Sequence, residues 1–396
     1  MRRRGFRHTG AMRCAVVGAG IGGASLAIAL RRQGIEAVVH ERVESQSEVG
    51  AGIVLWGNAI AALRRIGVAE EVLAVAAPMR EGELRSADGR VLSRQRIELW
   101  DRALGEPSVV LHRAELLEVL LAKLSDSPVR FGHELVDVEP RAADVALSFA
   151  DGTRELADVV IGADGLHSRV RRALVDEPPP RYSGYTCWRA IVRAPESLVP
   201  DGYLCETWGR GRRFGWLRLT SGRVYWFATA NAPQGERDAS PARALQVLAR
   251  LYDGWWGPVP ALIAATDPER LLRNDILDRE PRRDLGRGRI TLLGDAAHPT
   301  TPNVGQGACL AIEDAVVLAR ELARGEPESA LRRYERSRCE RTSEIVRFSW
   351  RLGRVAQWSS PAACRLRDLA LAATPMAAIR RRHRRYVGFR CPPDGP

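Results

Sequence analysis

Three stretches of the chain place a glycine or an aspartate directly after a short apolar run, where a strand would end. Gly18-Ala19-Gly20-Ile21-Gly22-Gly23 follows Cys14–Val17, Ala163-Asp164-Gly165 follows Leu156–Ile161, and Gly294-Asp295 follows Ile290–Leu293. The first has the G-x-G-x-x-G spacing that lets a backbone turn tightly, approach a pyrophosphate and lead into a closely packed helix. Gly18 and Gly20 serve the turn and the approach, and Gly23 the packing. The carboxylate Glu41 comes 23 residues after Gly18, close to the roughly 20 expected for an acid on an adenosine ribose, with Arg42 beside it. In the third stretch Asp295 can accept hydrogen bonds from a hydroxyl chain. Pro299 and Pro302 then stiffen the backbone, and Gly305 and Gly307 admit a flat ligand close to it. A helix starting near Gly305 would offer unpaired N–H groups and the positive end of its dipole to an electron-rich group.

These groups need a scaffold that brings strand ends together. Open α/β sheets bind ligands at the carboxyl ends of their strands, so three such ends can converge on one extended ligand. An acid such as Glu41 suits NAD and FAD alike, but an FAD-sized ligand needs three contact regions, whereas a nicotinamide dinucleotide needs only one such fold. Residues 50–66, GAGIVLWGNAIAALRRI, form a further glycine-containing loop running into a helix, with Gly52 placed to lie against a flat cofactor. Residues 111–124 read as another helix with Arg113 at its start, where a guanidinium either binds phosphate or ribityl oxygens or is a solvated surface group.

Between Tyr182 and Trp256 the composition changes to β-branched and aromatic runs separated by Gly or Asn turns, which read as an antiparallel sheet joined by part of residues 80–100. Trp188, Trp208, Trp216, Trp226, Trp255 and Trp256 fall here, and their rings either wall a pocket for an aromatic ligand or fill the sheet's core. Gly209-Arg210-Gly211 lacks the phosphate-loop spacing and reads as a hairpin turn. Beyond Gly325 the chain reads as helical, with an apolar stripe through Leu331, Tyr334, Cys339, Ile345 and Phe348 and a shorter helix after Pro375.

The chain has 396 residues, 45% hydrophobic and 27% charged, an ordinary globular mixture with room for two modest domains or one large one carrying an insertion. No apolar run approaches the roughly 20 residues needed to cross a bilayer, and the arginines after Met1 are not followed by a secretory leader. The net charge of +12 raises the question of nucleic acid, yet the arginines are spread along the chain and only one of the 60 basic residues, Lys123, is lysine. The dense groups Arg2–Arg4 and Arg380–Arg385 read as solvated ends, so the expectation is no nucleic acid and no membrane contact. The seven cysteines include no C-x-x-C and read as reduced, in keeping with the cytoplasm.

The motifs together resemble the group A flavoprotein monooxygenases, the family of para-hydroxybenzoate and salicylate hydroxylases. The resemblance covers about residues 12–350 and rests on GAGIGG with Glu41, on the ADG at Ala163–Gly165, and on GDAAHPTTPNVGQG with Asp295. Gly57 stands where relatives often have proline. The resemblance implies an α/β chain, with a Rossmann-like FAD-binding domain, an inserted antiparallel-sheet substrate domain and C-terminal helices. Residues 1–11 would be a disordered basic extension. Residues 12–80, 105–180 and 276–330 would bind FAD, 81–104 and 181–275 would bind substrate, and 331–396 would be helical.

It implies further that Gly18, Gly20 and Gly23 cradle the FAD pyrophosphate while Glu41 holds the adenosine ribose, and that Arg113 contacts flavin. Asp164 would belong to a motif serving both FAD and NAD(P)H, Asp295 would bind the ribityl or pyrophosphate region, and Pro299 would lie near the reactive edge of the ring. The implied activity is that of a single-component monooxygenase with tightly but non-covalently bound FAD, using NAD(P)H and O2 to hydroxylate an aromatic or other electron-rich small molecule through a flavin C4a-hydroperoxide. Epoxidation of a polyene or polyketide olefin and non-catalytic FAD binding are the alternatives. Arg213 and Tyr225 resemble an arginine and a tyrosine of urate-hydroxylase-like members, and Arg189 is a further group able to grip an acidic substrate. A flavin halogenase would need a relaying lysine and a W-x-W-x-I-P stretch, but the one lysine, Lys123, lies in the helix after Arg113 and that stretch is missing; a two-nucleotide Baeyer–Villiger enzyme would show a second G-x-G-x-x-G, which is absent. The expected assembly is a monomer or homodimer.

Overall fold

A computed structural model describes residues 12–45, 51–125 and 129–391. The proposed extension at residues 1–11 lies outside them. Five parallel strands form one sheet in the order Ile290–Leu292, Val159–Gly162, Cys14–Val17, Ala37–His40, Val129–Arg130. The first four are buried on both faces, which is why they are short continuous apolar runs without alternation. Pairing is in register at the carboxyl ends: Val17 sits opposite Gly162, and Gly162 opposite Leu292. The three motif-bearing strand ends therefore lie side by side.

Helices Ile21–Arg32 and Gly307–Leu322 pack against each other over this sheet. The second helix is buried on nearly every side from Cys309 to Ala319, so its N-terminus is held rigidly. It starts two residues later than the sequence suggests, because Gly305 takes a left-handed conformation (φ 62°) that ends a preceding 3-10 turn, Pro302–Val304.

The second large sheet has seven strands, in the order Leu272–Asp278, Arg181–Arg193, Arg223–Asn231, Arg212–Arg218, Tyr203–Trp208, Glu81–Ser86, Val91–Gln95. Residues 81–95 do join it, as expected from sequence. One pairing departs from the antiparallel expectation: Glu81–Ser86 runs parallel to Tyr203–Trp208, since a long stretch of chain, and not a tight turn, separates them. Gly209 to Gly211 form the turn between two antiparallel strands.

This sheet has two differently used faces. Trp188, Ala190, Val192, Phe214, Trp216, Val224, Trp226 and Ala228 point to one side, where helices Pro241–Leu251 and Val259–Ala264 cover them. Cys187, Arg189, Arg213, Leu217, Tyr225, Phe227 and Thr229 point to the other, as the period of two requires. The C-terminal part is helical as expected, in three pieces: Pro327–Ala356, Pro361–Ala372 and Met376–Val387. No helix among the described residues is long and apolar enough to cross a membrane.

Candidate active site

The three motifs interlock. Gly18 has φ +105°, and a Cβ placed there would fall 2.5 Å from the Ala163 carbonyl, so the first turn rests on the ADG turn. A Cβ on Gly23 would fall 1.8 Å from the Gly18 carbonyl, and one on Gly22 2.6 Å from Leu293. Around Gly20, by contrast, a Cβ would meet nothing within 4 Å. The chain itself thus explains Gly18 and Gly23, while Gly20 borders open space.

Glu41 reaches back to the loop, accepting hydrogen bonds from the Ala19 N–H (2.7 Å) and the Val43 N–H (3.1 Å). Arg42 next to it is exposed. Asp164 accepts from the Ser168 hydroxyl (2.5 Å) and from the N–H groups of Arg169 (2.6 Å) and Val170 (3.3 Å), and so caps the short helix Arg169–Leu174. Its immediate work is structural. The same first turn contributes Arg171, 1% exposed, which ion-pairs with Glu177 and donates to the carbonyls of Ala296 (2.9 Å) and Ala297 (2.7 Å). A buried guanidinium therefore ties the ADG segment to the Gly294-Asp295 turn.

That turn is anchored from beneath by a buried ion network. Glu313 and Asp314, both 0% exposed, sit side by side on helix Gly307–Leu322. Arg338 donates to Asp314 (2.6 Å) and to Glu313 (2.6 Å), and Arg341 makes two bonds of 2.8 Å to Glu313. Asp314 in turn accepts from the Gly294 N–H (3.1 Å) and lies 2.6 Å from His298 Nε2. His298 and Arg338 hold its carboxyl far below the usual range despite burial. Asn58 joins Glu313 (2.7 Å) to Gln306 (3.0 Å), fixing the helix start. None of these polar groups was among the sequence-derived site residues. Two adjacent acids in an otherwise buried helix were the available signal, and Arg338 within the stripe of the next helix was its complement.

Above the network lies a cavity of about 470 Å³. It brings together Gly52, Asp295, Gly305 and Gly307 from the cofactor side and Arg189, Arg213 and Tyr225 from the large sheet. Asp295 is open to this cleft while protein crowds its other sides. That crowding raises its carboxyl, with His298 and Arg113 pulling the other way. Arg113 is exposed at the start of helix Arg113–Ala122. Gly307 is the first residue of a 16-residue helix whose start no side chain caps. Gly18, Gly20, Gly23, Glu41, Arg42, Arg113, Asp164 and Pro299 are not on the cavity wall. Pro299 is buried, and Pro302 takes the wall position expected for it.

The three sheet residues differ in freedom. Arg213, 3% exposed, donates to Gln357 (3.1 Å), Glu206 (3.1 Å) and Asn303 (2.8 Å), so its guanidinium braces the sheet against the cofactor-side loop. Arg189 makes a long contact to Asn274 (3.4 Å) and lies beside the Tyr225 hydroxyl. Tyr225 is buried, which pushes its hydroxyl up to about 12 against the pull of Arg189 and keeps it a neutral donor. The tryptophans singled out in the sequence lie mainly on the far face; the cavity's ring-bearing walls are Trp56, Tyr225, Phe227, Phe348, His383 and Tyr386.

An open glycine turn, an uncapped helix start, an exposed arginine and a carboxylate open to the cleft fit an FAD. Comparison with known proteins agrees. A family model described as "FAD binding domain" matches residues 11–349. The chain is 40% identical over 375 residues to the aurachin C monooxygenase/isomerase of Stigmatella aurantiaca, spanning 94% of this chain and 97% of that protein. It is 33% identical to the 2-heptyl-3-hydroxy-4(1H)-quinolone synthase of Pseudomonas aeruginosa, over 93% of this chain and 96% of that one. Among solved structures, Klebsiella pneumoniae HpxO complexed with FAD and uric acid superposes with a TM-score of 0.89 at 32% identity, covering 95% of this chain and 96% of that one.

Proposed function

The chain belongs to the FAD binding domain family and is an FAD-dependent monooxygenase, and from that premise we propose that it uses NAD(P)H and O2 to hydroxylate a bicyclic heteroaromatic ring carrying an apolar substituent. Bound FAD supplies the redox chemistry and the activation of oxygen. The protein binds the cofactor, orients the ring and excludes water.

In this reading the Gly18–Gly23 turn, with Glu41 and Arg42, takes the adenosine diphosphate end. Gly52, Arg113, Asp164 and Asp295 serve the middle of the cofactor, and the turn through Pro302, Gly305 and Gly307 serves its ring. The helix start at Gly307 stabilises negative charge there. Tyr225 donates to a substrate carbonyl or phenol oxygen, Arg189 balances charge that develops on it, and Arg213 positions Asn303. The FAD-binding residues are 12–80, 105–180 and 276–330, with 81–104 and 181–275 facing substrate. The protein acts in the cytoplasm as a monomer or homodimer.

One observation carries the substrate class. On the large sheet the cavity's polar groups are Arg189, Glu206, Arg213, Tyr225 and Thr229, while Leu204, Leu217, Phe348, Leu352, Ile379 and Val387 make an extensive apolar wall. A small polar purine would leave that surface uncovered, and desolvating it is where an alkyl or prenyl tail gains affinity. The names of the quinolone and urate relatives mark the two extremes. The test is NAD(P)H oxidation and product analysis under 18O2, with uric acid, salicylate and 2-heptyl-4(1H)-quinolone. Stimulated oxidation with label in the quinolone product supports the reading; preference for uric acid or salicylate overturns it.

A further inference from the structure

Helix Met376–Val387 is the most basic element of the chain, yet its inward stripe, Ile379, His383 and Val387, carries a histidine where an aliphatic side chain would pack as well. All three residues of that stripe line the cavity. His383 is 9% exposed, and its Nε2 is buried without a hydrogen-bond partner, 3.7 Å from the Asp101 carboxylate. Asp101 is itself fixed, accepting from the Ser108 N–H (2.7 Å) and hydroxyl (3.0 Å). The imidazole is held between Trp56 (centroids 5.5 Å, edge to face) and Trp100 (4.9 Å). Trp56 in turn donates to the Val304 carbonyl (3.2 Å), at the turn that leads to Gly305. Nδ1 makes no hydrogen bond among the described residues.

We propose that His383 is a substrate-contacting residue of the cavity and that Asp101 is its positioning residue; the inference rests on the substrate reading above. A proton on Nε2, facing Asp101, leaves Nδ1 as an acceptor. The acceptor takes a ring N–H or O–H of the bound aromatic, from a wall opposite in origin to Arg189 and Tyr225, which belong to the large sheet. Substrates are thereby selected for a donor at one end and an acceptor at the other, as a 4-quinolone provides with its N–H and carbonyl. The mid-helix position supplies rigidity, because Arg341 from the long helix donates to the Tyr386 carbonyl (2.8 Å) and holds the segment in place.

The test uses FAD-loaded protein and two probes of equal shape: 2-heptyl-4(1H)-quinolone and the 2-heptylchromone in which a ring oxygen replaces the N–H. Binding is read from the perturbation of flavin absorbance, alongside FAD content. Wild type is expected to bind the quinolone about tenfold more tightly than the chromone, the value of one hydrogen bond. His383→Phe should bring the two within twofold of each other, and His383→Asn, which restores an acceptor, should recover much of the ratio. Asp101→Asn should lower the ratio while leaving FAD content unchanged. If His383→Phe does not retain FAD, the ratio is read from His383→Leu. A ratio unchanged in the His383 variants, or equal binding of both probes by wild type, overturns this assignment alone. Wild type that binds neither probe overturns the substrate reading and this assignment with it.

Discussion

The ring of Tyr225 lies directly against the backbone of Gly52: a Cβ at position 52 would come within 2.5 Å of two ring atoms. The glycine's absent side chain is thus what lets the large sheet close onto the strand Gly52–Leu55, and it sets where the phenol hydroxyl stands in the cavity. Gly52→Ala should push the ring aside. Stability is expected to fall by about 1 to 3 kcal/mol. Substrate-stimulated NAD(P)H oxidation should drop at least tenfold, checked by steady-state kinetics with thermal melts.

The glycine turn should separate folding from cofactor binding. Gly20→Ala meets no protein atom, so the apoprotein should melt as wild type does while FAD binds about tenfold or more weakly. Gly23→Ala places a methyl group within 1.8 Å of a carbonyl oxygen and should instead reduce soluble, folded protein. Apo melting curves and FAD titrations distinguish the two. Equal damage to the apoprotein by both changes would contradict the role given to Gly20.

Arg338 compensates two carboxylates that have no water around them. Arg338→Met keeps the volume but takes from two buried carboxylates the cation they share, leaving Glu313 to Arg341 and Asp314 to His298, which should cost about 3 to 5 kcal/mol. Because Asp314 also holds the Gly294 N–H and His298, the variant should lose FAD before it unfolds. Flavin release monitored by fluorescence during a melt, set against circular dichroism, reads that order.

A pair of histidines, His40 and His133, predicts a pH response. His40 Nδ1 lies 2.8 Å from His133 Nδ1, and His40 is lowered from 6.5 to about 4 by burial, by His133 and by Arg130, with Glu155 of a separate small sheet 3.9 Å from Nε2. The unfolded chain takes up this proton below about 6.5 and the folded one only near 4. Stability is therefore fully present above 6.5 and falls as pH is lowered through that window, by at most about 3 kcal/mol from this group. Urea midpoints between pH 7 and pH 4 measure it, and His40→Gln should flatten the slope.

The cofactor half was legible because its signals are local. A glycine spacing, an acid some twenty residues on and three apolar runs ending in Gly or Asp each lie within a short window, and the sheet then sets those runs adjacent. The substrate half was legible only in part. Arg189, Arg213 and Tyr225 do reach the cavity, but sequence could not show that Arg213 is fully engaged by Gln357, Glu206 and Asn303, since two of those partners lie in distant segments. Of the two readings open for the tryptophans, filling the sheet's core is the one that holds for Trp188, Trp216 and Trp226. In RVYWFATA the alternation of Tyr225, Phe227 and Thr229 against Trp226 and Ala228 was visible, but which set faced a ligand depended on strand pairing and on helices that arrive later in the chain. His383 and Asp101 meet only through the packing of the C-terminal helix.

That alternation has an evolutionary side. Along Arg181–Arg193, Arg212–Arg218 and Arg223–Asn231, cavity and aromatic core are written on interleaved positions of the same ribbon. Substitutions at 187, 189, 225, 227 and 229 can therefore explore new ligands while the core's residues stay untouched, so the sheet can diversify without being rebuilt. Insertion or deletion of a single residue in these strands would exchange the two sets at once, sending tryptophans into the cavity and arginines into the core. Lineages descending from this sequence should accordingly vary in length at the turns of this sheet and hold its strands to a fixed count.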